Sequence, residues 1–356
     1  MTSFAIFKLP GTLECTLFLK RHGMPERIPS FKGLNSETGF IIAPFRISEQ
    51  NPLLLIEPEQ QCVYNCVSDI DENVIKELNK CALGNAAVSQ KVNTDENVRA
   101  EYSDVFNLFH SKLLQGEFSK IVLARISDVH FETASLFDLF KKACETYQRM
   151  YVSFFSAPAC GTWLVSTPEL LLERSGNIYK TVALAGTMKA LGKDDVSVMP
   201  WSDKNYDEQR VVADYIYKCV ENFSDDISEV GPSTVKAADL VHLSSDFCFS
   251  LRDNCLVGDL IAELHPTPAV CGMPKSRTME TIIGNEACAR EYYSGFSGPM
   301  VRGTGMHLYV SLRCMQMFKK KFRLYAGGGL MPGSTENNEW RETEAKLETM
   351  KRIIGY

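Results

Sequence analysis

The 356-residue chain has no stretch approaching the roughly 18 uninterrupted apolar residues that a membrane-crossing helix needs. Its first 20 residues, with Glu14 inside and Lys8 and Lys20 flanking, lack the basic-then-apolar order of a secretory signal. A cytoplasmic chain with no membrane partner is therefore expected. There is no CxxC pair; Cys62 and Cys66 come nearest, with no histidine beside them, which is too little for a zinc site. Most of the 12 cysteines lie dispersed in apolar runs and read as buried thiols of a reducing compartment. A basic stripe is missing too: 38 Lys and Arg face 44 Asp and Glu, a net charge of -6, which argues against a nucleic-acid surface. Neither a GxGxxG opening a helix nor the Lys-Ser or Lys-Thr of a phosphate loop occurs, and HExxH and EF-hand spacings are absent.

What remains is an ordinary globular composition, 45% hydrophobic and 23% charged, long enough for one large core or two fused lobes. Residues 1 to 98 carry short apolar runs, such as 39 to 45 and 52 to 56, that read as strands, with a helix over 71 to 80. Val105, Leu108, Phe109 and Leu113 repeat at helical spacing and Gly116 stops them, before a strand over 118 to 125. Further helices are expected over 134 to 150, 207 to 223, 278 to 292 and 337 to 353, and strands over 150 to 155, 162 to 165, 170 to 173 and 179 to 183. Residues 224 to 260 read as a hydrophilic connector, and Pro266, Pro268, Gly272 and Pro274 fix a rigid irregular loop. Strands over 306 to 317 and 322 to 326 are expected to pair as a hairpin with Lys319-Lys320-Lys321 as its solvated turn. The N-terminal part, 1 to 98, and the part that carries the chemistry, 99 to 356, are expected to form one structural domain.

Lys120 stands mid-strand on a face shared with Val122 and Ala124, where an ammonium is costly unless paired or partly deprotonated. It is either a general base or a lysine snorkelling from an edge strand. Glu169 follows Pro168 where an apolar run resumes, and is either an acid of raised pKa or a solvated turn residue. Arg313, read as mid-strand, suits bidentate carboxylate recognition or a structural ion pair. Glu339, Glu342 and Lys346 share a helix face, as a salt-bridge ladder or the acidic wall of a metal site. Glu208, on another helix, offers a second carboxylate to meet Glu342 across a cleft, and such a pair suits Mg²⁺, a hard ion that keeps several waters. Gly327-Gly328-Gly329 can bring backbone N–H groups close to a carboxylate ligand.

These residues fall in separated blocks: Lys120-Ile121-Val122-Leu123-Ala124-Arg125, Ser166-Thr167-Pro168-Glu169-Leu170-Leu171, Ala183-Leu184-Ala185-Gly186-Thr187, Leu264-His265-Pro266-Thr267-Pro268-Ala269-Val270, Tyr325-Ala326-Gly327-Gly328-Gly329 and Glu339-Trp340-Arg341-Glu342-Thr343. In that order, over about residues 100 to 353, the chain resembles the chorismate-utilising enzymes, and within them the isochorismate synthase branch. The resemblance implies an α/β fold of two large, mainly antiparallel sheets packed in a sandwich, with surrounding helices and a deep cleft. It also implies a Mg²⁺-dependent isomerisation of chorismate to isochorismate, with Lys120 activating the water that attacks C2 and Glu169 protonating the departing C4 hydroxyl. Glu208 and Glu342 would hold the Mg²⁺, with Glu286 and Glu339 as outer-shell or additional ligands. Arg313 and the backbone of Gly327, Gly328 and Gly329 would grip the enolpyruvyl carboxylate, Ala326 would also bind the substrate, and Lys346 would add positive charge. Leu184, Ala185, Gly186 and Thr187 would line the ring, and His265 would shape its C2 side. A monomer without a glutaminase partner is implied, its product feeding menaquinone or siderophore biosynthesis. Three other readings stay open: a salicylate synthase, an aminating chorismate enzyme, and a chorismate-binding protein without catalysis.

Overall fold

The computed structural model describes residues 2–35, 37–87, 93–130, 135–189, 199–237, 240–301 and 305–355. The chain opens with β1 (Ser3–Lys8), β2 (Cys15–Lys20), β3 (Glu26–Ile28), β4 (Gly39–Ala43), β5 (Leu53–Ile56) and β6 (Gln60–Tyr64), followed by α1 (Glu72–Asn85) and α2 (Asp95–Leu114). Then come β7 (Lys120–His130), α3 (Phe137–Thr146), β8 (Tyr151–Ala157), β9 (Gly161–Thr167), β10 (Leu170–Ser175), β11 (Ile178–Lys189) and α4 (Asp203–Glu221). The remainder is β12 (Ser228–Ala237), β13 (Leu240–Ser250), α5 (Val257–Leu264), β14 (Gly272–Met273), α6 (Lys275–Asn285), β15 (Phe296–Val301), β16 (Gly305–Val310), β17 (Cys314–Met317), β18 (Lys321–Leu330) and α7 (Glu336–Ile354).

The strands form two nine-stranded sheets, ordered β14-β7-β18-β17-β9-β8-β1-β2-β6 and β12-β13-β11-β10-β16-β15-β4-β5-β3. Neighbours run antiparallel, as β7 with β18, β8 with β9 and β11 with β13 do. Residues before 98 supply β1, β2 and β6 to the first sheet and β3, β4 and β5 to the second. Between the sheets, aromatic side chains fill the layer: Phe7 meets Phe40, Phe40 meets Phe155, and Tyr151 stacks on Tyr309 with centroids 4.4 Å apart. Strands such as β8, buried along their whole length, therefore read as unbroken apolar runs. Outside the first sheet, α1, α3 and α7 bury Leu78, Phe140 and Leu347; outside the second, α4 and α5 bury Val212, Ile216 and Leu260. Asp71, Thr94 and Ser202 cap α1, α2 and α4 by accepting backbone N–H groups, and Gly355, at a φ of 80°, ends α7.

Two expectations are corrected. Residues 224 to 260 are no connector: they contain β12, β13 and the first half of α5. β12 is an edge strand whose residues from Ser228 to Ser233 are exposed, so it carries none of the apolar alternation that betrays a half-buried strand. The run from 306 to 317 is not one strand either. It divides into β16, in the second sheet, and β17, in the first, and only β17 forms the hairpin with β18. In that hairpin Lys319 and Lys320 are exposed, but Lys321 is buried against Asp128 at 2.8 Å.

Candidate active site

Two places where the chain leaves one sheet for the other lie side by side. After β9 it crosses through Pro168 and Glu169 into β10; after β16 it crosses back through Ser311, Leu312 and Arg313 into β17. Backbone hydrogen bonds tie the crossings together: Val310 N–H donates to Glu169 O at 2.9 Å and Ser166 N–H donates to Arg313 O at 3.0 Å. Arg313 adopts a φ of 46°, a conformation an L residue keeps only where its surroundings impose it. Glu169 and Arg313 thereby line one cleft with about 640 Å³ of empty space.

The other walls come from both sheets and two helices. On β11 the register shifts between Ala185 and Thr187, with Gly186 at a φ of 71°. Strict alternation would offer the cleft every second residue, whereas this bulge lets Leu184, Ala185, Gly186 and Thr187 all line it. Val122 of β7, Ala326, Gly327 and Gly329 of β18, Glu208 of α4 and Lys346 of α7 complete the expected groups. Lys120 sits behind them, fully buried, its Nζ 2.8 Å from Glu208 Oε1 in a charge contact without hydrogen-bond alignment. A Cβ on Gly329 would stand 2.7 Å from Lys120 Cε and 2.2 Å from Glu208 Oε1, so only glycine admits this pair.

Electrostatics separates the charged groups by role. Glu169 is 4% exposed, and burial pushes its carboxyl up to about 7, although Lys120, Lys346 and Arg313 draw it back. Arg313, also buried, is brought down to about 10. Burial opposes ionisation of Glu208, yet Lys120, helped by Lys346 and Lys204, holds it below the ordinary carboxylate value.

His242 of β13 also lines the cleft, a residue that sequence reasoning passed over. Its Nδ1 lies 3.1 Å from Gly186 O and its Nε2 3.2 Å from Arg313 Nη2. The ring must accept from the guanidinium through Nε2 and donate through Nδ1, which fixes a neutral tautomer. Burial, then Arg313 and Lys346, holds its pKa well below the usual value, in keeping with that assignment. The available signal was a single polar side chain inside the apolar run Leu240-Val241-His242-Leu243.

Glu208, Glu339 and Glu342 gather near β18. A Cβ on Gly328 would lie 3.0 Å from Glu339 Oε2 and 3.9 Å from Glu342 Oε1. Each carboxylate faces its own lysine: Glu208 meets Lys120 at 2.8 Å, Glu339 meets Lys204 at 2.5 Å and Glu342 meets Lys346 at 2.6 Å. Among the described residues no group of three or more His, Cys, Asp or Glu side chains is arranged as a ready metal cage. The donor set nevertheless fits a hard cation: all are carboxylate oxygens, and Glu339 Oε2 is buried with no partner. Burial, then the neighbouring Glu342, raises the Glu339 pKa, although Lys204 and the Ser334 hydroxyl draw it back.

Three expected residues stand elsewhere. His265 does not line the cleft; its Nε2 meets Pro44 O at 3.2 Å, its ring packs between Phe31 and Phe296, and burial takes its pKa down to about 3. Glu286 accepts from Ala124 N at 2.8 Å and pairs with Arg290 at 2.5 Å, lining a separate cavity, so it is no part of the carboxylate group at β18. Gly328 lines no part of the cleft, because alternation turns it toward Glu339 and Glu342 on α7.

A cleft lined by a buried acid near 7, an arginine and a lysine, with a second lysine behind them, has the charge to suit a small anionic molecule. The chain is a member of the chorismate-binding enzyme family, whose pattern matches residues 53–355. Among curated proteins it is similar to the isochorismate synthase DhbC of Bacillus subtilis (strain 168), 34% identical over 202 residues, covering 54% of this chain and 50% of DhbC. It is also similar to the isochorismate synthase MenF of Escherichia coli (strain K12), 28% identical over 265 residues, covering 71% of this chain and 60% of MenF. The matched segments thus span half to three-fifths of those relatives. In solved structures, the fold is that of MenF, the menaquinone-specific isochorismate synthase from Escherichia coli, with a TM-score of 0.78 at 21% identity over 99% of this chain and 89% of that one. Anthranilate synthase component I from Streptococcus pneumoniae TIGR4 shares it, with a TM-score of 0.71 at 17% identity over 98% and 90% of the two chains. The expected family and sandwich fold are both borne out. No helix among the described residues is long and apolar enough to cross a membrane.

Proposed function

We propose that the cleft isomerises chorismate to isochorismate. The observation that carries this reading is the buried Glu169, its carboxyl near 7, sharing a cleft with Arg313 and Lys346 and with Lys120 behind it. Chorismate bears two carboxylates, and Arg313 and Lys346 are the cations that line the cavity to receive them.

The reaction needs one base and one acid. Lys120, as the base, parts from Glu208 and takes a proton from water as the oxygen bonds to C2. Both ring double bonds shift, C1=C2 to C6=C1 and C5=C6 to C4=C5, the C4–O bond breaks, and Glu169 delivers its proton to the departing hydroxyl, which leaves as water. One water enters and one leaves, so the product is an isomer. A carboxyl near 7 is matched to that task, since a large share of it keeps its proton at neutral pH and gives it up readily. His242 holds the Arg313 guanidinium against β11 without adding a charge. Glu208 and Glu342, with Glu339 beside them, are the residues that would hold Mg²⁺, whose positive charge would neutralise the ring carboxylate.

The test is chorismate with Mg²⁺ and no nitrogen donor, the products separated by chromatography. Isochorismate alone supports the proposal. Salicylate with pyruvate, or turnover that begins only when ammonium is added, replaces it with an eliminating or an aminating reaction, and no turnover at all leaves a binding protein.

A further inference from the structure

Each of the three carboxylates near β18 holds an ammonium, but the three lysines are not equally free to go. Lys120 has no exposed side-chain surface, and its Cε packs against Gly329. Lys346 is 14% exposed and also donates to Gly327 O at 2.8 Å. Lys204, in the first turn of α4, is 34% exposed, and among the described residues its Nζ has no acceptor but Glu339. Its partner is the most deeply buried carboxylate of the three, 1% exposed. Glu339 Oε1 is doubly held, by Lys204 at 2.5 Å and by the Ser334 hydroxyl at 2.7 Å, while Oε2 has no partner.

We propose that Lys204 is an internal counter-cation for the metal site: it neutralises Glu339 when no divalent ion is present, swings into solvent when one binds, and so sets the affinity for metal. The inference rests on the Mg²⁺ reading above and adds to it a residue with a defined role. Two positive groups cannot share one buried carboxylate cheaply. An ammonium and a dication held on the same buried carboxylate repel each other far more strongly than they would in water. A four-carbon stem already a third exposed can carry that charge to water at little cost, which the stems of Lys120 and Lys346 cannot do. Lys204 is thus a positioning residue, acting through Glu339 and touching no substrate.

The experiment is a Mg²⁺ titration of the full chain without chorismate, by calorimetry, together with the melting temperature in the absence and presence of Mg²⁺. Lys204→Met should bind Mg²⁺ about tenfold tighter or more, melt lower without metal, and gain more on adding it. Lys204→Arg keeps the charge and should retain the original affinity and melting behaviour. If Lys204→Met does not fold, Lys204→Gln carries the same prediction. Unchanged or weaker Mg²⁺ binding in the neutral variants overturns the role of Lys204 while leaving the metal reading intact. Absence of Mg²⁺ binding by the unaltered chain overturns both.

Discussion

In the proposed reaction Glu169 is the acid, and its environment fixes the sign of its pH response. Under that proposal its carboxyl, near 7, must be protonated to assist departure of the C4 hydroxyl. Turnover should therefore fall as pH rises through about 7, and Glu169→Gln should lose about 10²- to 10⁴-fold in kcat together with that limb of the profile. A kcat–pH curve of both forms checks this; an unchanged kcat in the variant removes the residue from the reaction. Stability carries the same signature. The native chain keeps a proton that the unfolded chain releases near 4.5, so this group's contribution is complete below that value and is lost as pH rises to about 7. Melting curves of Glu169→Gln should show a flatter pH dependence across that window. Lys120 and Glu169 were legible in the sequence because a charge set among apolar neighbours is an anomaly that calls for a purpose. His242 was not, since a neutral imidazole bonded to Gly186 and Arg313 gives no such anomaly until β13 is seen beside β11.

Among the elements, β18 does the positioning. Its glycines face two ways: Gly329 toward the Lys120–Glu208 pair, Gly328 toward Glu339 and Glu342. Gly329→Ala would drive a methyl to within 2.2 Å of Glu208 Oε1. The expected outcome is a folded protein that melts a few degrees lower and loses about 100-fold in kcat/KM, measured by thermal unfolding and steady-state kinetics. Normal kinetics would mean that the pair is dispensable. The sequence revealed the triple glycine as a backbone contact for a carboxylate, but not which glycine faces the cleft, which the strand's register against β7 and α7 decides. Arg313 was likewise read as a carboxylate binder or a structural ion pair, and placed mid-strand. Apolar residues continue on both sides of it, in β16 and β17, and hide a crossing that only the pairing of each half with a different sheet exposes.

At the scale of the whole molecule, the two sheets share an aromatic layer to which the first 98 residues contribute from both sides. That arrangement leaves neither sheet a core of its own on its inner face, so the chain should unfold in one calorimetric transition. Tyr309→Ala, which removes the ring stacked 4.4 Å from Tyr151, should destabilise it by on the order of 3–5 kcal/mol. Two separable transitions would show the sheets to be independent. Fold class followed from the family resemblance carried by the blocks at 120, 169, 186 and 327, but the polar edge strand β12 was not legible, since its exposed residues satisfy no core. The central claim is that water enters at C2 while the C4 hydroxyl departs, and turnover in H₂¹⁸O tests it most directly. The account predicts one solvent oxygen in the isochorismate formed, located by mass spectrometry at the C2 hydroxyl; unlabelled product would mean the hydroxyl migrates within the substrate and would contradict the assigned roles of Lys120 and Glu169.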